Sequence, residues 1–142
     1  MTRVSESAQV GVGVERVFPL FTDLETLPRM LSFIESVTPV SPDTTHWVVG
    51  FAGQRKAFDA RLVAQEPNRL LRWESATPGQ PFTIEARTEA TGPDSTNVTI
   101  DAEFDAGGMA ERLGLAKPIA SKALRDELGR AKLYVERRFI DG

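Results

Sequence analysis

The feature that most constrains this chain is a long stretch with a period of two. From residue 34 to residue 105 apolar and polar side chains alternate, and the alternation breaks only at short stretches rich in Pro, Gly, Asn and Asp. The alternating runs are 34–41 (IESVTPVS), 45–52 (THWVVGFA), 55–65 (RKAFDARLVAQ), 69–76 (RLLRWESA), 82–90 (FTIEARTEA) and 96–105 (TNVTIDAEFD). The breaks fall at Gly53-Gln54, Glu66-Pro67-Asn68, Thr77-Pro78-Gly79-Gln80 and Thr91 to Ser95. Parallel strands need long crossover connections, so connections this short predict an antiparallel meander. Residues 3–10 alternate in the same way, which suits an edge or antiparallel strand and brings the expected sheet to six to seven strands.

The flanking segments have a helical period. Val14, Val17, Phe18 and Phe21, then Leu24, Leu27, Met30, Leu31 and Ile34, recur at spacings of three and four. Pro19 and Pro28 interrupt this stripe, which predicts two short helices over 14–22 and 25–32, the second capped by Asp23. After Gly107-Gly108 the helical period returns in a short piece over 109–115 and a long helix over about 117–139. Ala120, Leu124, Leu128, Ala131 and Val135 form the apolar stripe of that helix. Gly129 lies in its interior at a cost of about 1 kcal/mol against Ala, which close packing on the sheet would excuse. The prediction is an α+β chain: a strand, two short helices, an antiparallel run and a long helix, in one domain over residues 1–142.

The order of elements decides the reading of Gly11-x-Gly13. A dinucleotide-binding turn needs a third glycine where this chain has Arg16, and a parallel βαβ setting that is lacking here. The two glycines therefore mark a strand-to-helix corner.

Alternation also assigns faces. Trp47, Val49 and Phe51 share one face with Phe58, Ala60, Leu62, Leu71, Trp73, Phe82, Ile84, Ala86, Val98, Ile100, Ala102 and Phe104. The other face carries His46, Arg55, Asp59, Arg61, Arg72, Glu74, Glu85, Arg87, Asp101 and Glu103. The first face looks to the helix and the second to solvent, with cross-strand charge pairs available. Acid–base chemistry needs a titratable group within hydrogen-bond reach of a substrate. The inward polar residues are few: Thr45, Lys56 (expected to reach the rim), Ser75 and Thr88. The single histidine, His46, falls on the outer face. No metal-ligand spacing and no Gly-x-Ser-x-Gly elbow occurs, so neither a metal nor any other cofactor is expected. The inward rings either fill a core, their commoner role, or line a cavity.

Composition removes further classes. The chain has no cysteine, so disulfides and thiolate chemistry are excluded. A net charge of −3 argues against a nucleic-acid partner. No apolar run spans a membrane and the first ten residues lack a signal-peptide core, so a cytoplasmic protein is expected. A homodimer is one of the assemblies left open.

Three stretches in order resemble one family. Val12 to Phe18, with Thr22-Asp23 and Leu27-Pro28, resembles the opening of the polyketide cyclase/dehydrase branch of the START-like (SRPBCC) superfamily. Glu66, Pro67, Arg69 and Trp73 resemble its Glu-Pro-x-Arg-apolar-x-Trp hairpin, and residues 95–105 resemble its late strand, with Asp94-Ser95 where the family has glycines. The resemblance implies a helix-grip fold, a curved antiparallel sheet around the C-terminal helix with a cavity between them. It implies a hydrophobic small-molecule ligand of polyketide, lipid or isoprenoid type, held by Trp47, Phe51, Phe58, Trp73, Phe82, Ile84, Phe104, Leu124 and Leu128. The alternative it implies is a cyclase or dehydratase acting by confinement, in which Arg29, Ser75 or Tyr134 polarises a carbonyl. A third reading, an interaction protein with a collapsed cavity, needs an exposed apolar patch that the strand faces do not show.

Overall fold

The computed structural model describes residues 2–51, 54–105 and 116–141. Its elements in chain order are β1 (Thr2–Val10), α1 (Val14–Thr22), α2 (Leu27–Met30), β2 (Ile34–Pro39), β3 (Thr44–Phe51), β4 (Gln54–Glu66), β5 (Leu70–Ser75), β6 (Phe82–Gly92), β7 (Ser95–Phe104) and the long C-terminal helix α3 (Ala116–Glu136), which runs into a π-helical turn, Arg137–Asp141. The seven strands make one sheet in the order β1-β7-β6-β5-β4-β3-β2, and every pairing is antiparallel. Six of them are the predicted meander. The seventh, β1, closes the order by pairing with β7 from Thr2↔Phe104 to Val10↔Thr96.

The turn residues do what their chemistry allows. Asn68 takes φ +60° between β4 and β5, a left-handed conformation that asparagine tolerates better than most residues. Pro78 and Gly79 occupy the central positions of the turn closed by Gln80 N–H donating to Thr77 O at 3.3 Å. Gly79 has φ +81°, as a type II turn requires of its third residue. Gln54 pairs with Phe51 and so belongs to β4, not to the turn before it. Register shifts at Ile34/Ser36, Leu62/Ala64 and Ala90/Gly92 add bulges that bend the strands.

The helices differ from expectation at their ends. The second short helix covers Leu27–Met30 rather than 25–32. Pro28 has no N–H to donate and sits in the first turn, where none is needed. Asp23 instead organises the turn ahead of it, accepting from Glu25 N–H at 3.0 Å and from the Thr26 hydroxyl at 2.8 Å. The predicted piece 109–115 lies outside the described residues. Gly129 is exposed on α3, and a Cβ there would meet nothing within 4 Å, so packing on the sheet is not what keeps it.

The glycine corner is held by close approach. A Cβ on Gly13 would lie 2.8 Å from the carbonyl oxygen of Pro93 in the β6–β7 turn. Beside it, the buried Thr96 hydroxyl donates to Val12 O at 2.7 Å, and Gly11 N–H donates to Glu136 of α3 at 2.8 Å.

Candidate functional site

The predicted inner face is the inner face. Trp47, Ala60, Leu71, Trp73, Ala86, Val98 and Ile100 are all less than a tenth exposed. The predicted outer face carries a chain of alternating charges: Arg3 bridges to Asp101 (3.2 Å), Asp101 to Arg87 (3.0 Å), Arg87 to Glu85 (3.6 Å), Glu85 to Arg72 (3.3 Å) and Arg72 to Glu74 (3.6 Å). Partial burial pushes the Asp101 carboxyl up, but Arg3 and Arg87 together outweigh it and hold the group below the usual carboxylate range. His46 lies in this layer, 2.7 Å from Asp59.

Burial along the inner face is uneven, and the covering elements explain it. α3 packs chiefly on β1, and α1 covers the adjoining ends of β6 and β7. Under these helices Val17, Phe18, Phe21, Val98, Leu128, Ala131 and Val135 fill the interior. The crevice left among Val10, Val17, Phe21, Val98, Leu128 and Val135 has a volume of about 10 Å³, room for one water at most. At the other end of the sheet Val49, Phe58, Leu62, Phe82, Ile84, Ala102 and Phe104 are only partly buried, as is Leu124 on the facing side of α3. These side chains form an apolar wall beyond the reach of α1.

Aromatic rings run from the packed end into this wall. Trp73 meets Trp47 edge-on at 6.0 Å, Trp47 stacks on Phe58 at 6.2 Å, and Phe58 meets Phe82 edge-on at 4.7 Å, past the end of β5. The Trp47 indole N–H is satisfied within the fold, donating to the Thr45 hydroxyl at 2.6 Å, so this wall presents ring surface and few polar groups. The Phe51 side chain lies outside the described residues. Of the residues expected in a ligand wall, Phe58, Phe82, Ile84, Phe104 and Leu124 thus stand partly open, while Trp47, Trp73 and Leu128 lie in the packed interior.

The three polar candidates are not gathered into one site. Arg29 is exposed on α2. Ser75, at the end of β5 opposite Ala60, has its hydroxyl engaged with the backbone of Thr77 at 3.2 Å. Tyr134 is partly buried on α3, and its hydroxyl accepts from Arg138 at 3.1 Å. Among the described residues no hydrogen bond or ion pair joins any two of the three. Lys56 is exposed, as its long stem allows. Thr88 is 4% exposed, and its hydroxyl has no partner.

Two carboxylates of α3 tie the helix to the rest of the fold, and pattern reasoning did not find them. Glu127 accepts from both Ser32 N–H (2.9 Å) and the Ser32 hydroxyl (2.6 Å), just beyond α2. Glu136 accepts from Gly11 N–H and from Lys132. The Lys132 ammonium and then the Gly11 amide hold the Glu136 carboxyl below its usual range. A third link joins Arg125 of α3 to Glu6 of β1 at 3.2 Å. Each pairs residues 95 or more positions apart, which no periodicity reports.

Comparison with known proteins agrees with this architecture. An uncharacterised 17.2 kDa protein of Streptomyces lincolnensis, from the melC2-rnhH intergenic region, is 27% identical over 97% of this chain and 92% of its own length. The Zhui aromatase/cyclase from Streptomyces sp. R1128 superposes with a TM-score of 0.81 at 15% identity, covering 96% of this chain and 94% of that one. A START superfamily protein from Mycobacterium smegmatis superposes with a TM-score of 0.69 at 19% identity, over 90% of this chain and 97% of the other. At such identities the structural likenesses establish the helix-grip fold. A family model described as polyketide cyclase/dehydrase and lipid transport matches residues 1–136, and the chain is a member of that family.

Proposed function

We propose that this protein encloses a hydrophobic small molecule of polyketide, lipid or isoprenoid type against the apolar wall at the open end of the sheet. One observation carries the reading: the inner face is packed under α1 and left partly exposed over Val49, Phe58, Leu62, Phe82, Ile84 and Leu124. Partly exposed apolar side chains clustered on one face stabilise the chain less than full burial would, and a ligand that covers them recovers that free energy. Membership of a family of cyclases, dehydrases and lipid transport proteins supports a ligand-binding or cyclase role at the same place. Binding is the better-supported half. The Ser75 hydroxyl already donates to Thr77 O, Arg29 stands at the surface, and Tyr134 is joined to neither of them.

The cyclase reading keeps one specific support, the likeness to an aromatase/cyclase over almost the whole chain. Confinement can favour one folded conformer of a reactive chain with few titratable groups. Native mass spectrometry of protein purified from its host is expected to show a bound organic molecule that denaturation releases. Ile84→Trp, which fills the wall, should abolish that adduct and any thermal shift with apolar ligands while leaving the fold intact. A protein that carries no adduct and shows no shift across a panel of lipids and polycyclic aromatics would overturn the proposal. Turnover of a polyketide by Ile84→Trp at the wild-type rate would overturn the cyclase alternative.

A further inference from the structure

The outer face of α3 carries a pattern that ligand binding does not account for. Leu128, Ala131 and Val135 turn inward. On the opposite side, Ile119, Asp126 and Leu133 recur every seven residues, and Ile119 and Leu133 are 57% and 51% exposed. Gly129 lies on the same side, one turn before Leu133, with open space around its Cβ position. A helix-interior glycine with no steric reason leaves a dent in the surface, and an exposed leucine one turn later leaves a knob. The two are self-complementary: in an antiparallel pair of these helices, Leu133 of each copy enters the dent at Gly129 of the other.

The charges agree with this register. With the two-fold axis passing between Gly129 and Leu133, Asp126 lies about 7.5 Å to one side of it along the helix and Arg137 about 9 Å to the other, at 1.5 Å per residue. Asp126 of each copy therefore comes level with Arg137 of its mate. Arg137 is exposed and has no ion-pair partner among the described residues, and the Asp126 carboxylate is 56% exposed beside Lys122. We propose that two copies of this chain associate through this face, antiparallel, with the Gly129–Leu133 contact at the centre and Asp126–Arg137 pairs on either side.

A single helix pair is a small interface, so the expected dimer is weak and concentration-dependent. Sedimentation equilibrium of the full chain from micromolar to millimolar concentration should show a monomer–dimer equilibrium. Leu133→Lys should weaken association by about tenfold or more, because the knob is removed and like charges are brought together. Asp126→Arg and Arg137→Asp should each weaken it, and the double variant should recover most of the wild-type constant. Gly129→Ala gives readouts of opposite sign: a higher melting temperature for the dilute monomer and weaker association. All these side chains are exposed in the monomer, so circular dichroism should show every variant folded. A wild type that stays monomeric up to millimolar concentration would overturn the proposal. A dimer indifferent to Leu133→Lys, or no recovery in the charge-swapped double variant, would overturn it equally.

Discussion

Thr88 and Gly13 show opposite relations between a side chain and its space. The Thr88 hydroxyl is buried beneath α1 and unpaired, so the chain bears the cost of removing it from water without a hydrogen bond in return. Thr88→Val keeps the branched shape and removes the orphaned group. It should stabilise the fold by about 1 kcal/mol, read as a higher melting temperature with no change in secondary structure. At Gly13 the fold needs the missing Cβ, because the Pro93 carbonyl occupies its place. The Gly-x-Gly pair was readable as a corner from the order of elements around it. Its reason was not, because Pro93 lies 80 residues further along the chain.

At the scale of elements, the sheet's two faces obey different physics. Inside, cross-strand neighbours such as Leu71↔Ala86 and Ala86↔Ile100 are apolar and hidden. Outside, the chain of ion pairs from Arg3 to Glu74 links β1, β7, β6 and β5 through side chains that are partly solvated. Exposed pairs of this kind contribute little individually, but Asp101 is the least exposed of them and takes two arginines. Its folded-state pKa lies below the unfolded value, so its contribution is present above the ordinary carboxylate range and lost as the pH falls through the folded pKa. Asp101→Asn should therefore be less stable than wild type at neutral pH, and the gap should narrow on acidification below about pH 4, followed as melting temperature against pH. Face assignment was readable from parity because a pleated strand sends successive side chains to opposite sides. The bulges were not, since one extra residue in a strand leaves no mark that composition can show.

For the whole molecule, the position of α3 decides what the fold offers. It packs on β1 at one edge of the sheet and is tied by Glu127 to Ser32, by Glu136 to Gly11 and by Arg125 to Glu6. A ligand against the Phe58–Phe82 wall would touch sheet and helix together, so its binding free energy would tighten those seams. Hydrogen exchange should report this: a bound apolar ligand is expected to slow exchange of the Ser32 and Gly11 amides as well as those of the wall. Slowing confined to β3–β6, with Ser32 unchanged, would place the ligand away from the helix.

The sequence by itself determined which elements form, their antiparallel order and which side of each strand is oily, because these follow from local periodicity, turn chemistry and the pleat. Only the tertiary structure decided how far each oily position is covered. Parity names a face but not a place along it, and whether Phe82 stands open while Trp73 is packed depends on where α1 and α3 come to rest. That placement is set by contacts between residues far apart in the chain, such as Glu127 with Ser32, 95 positions away, which share no local pattern from which either partner could be read.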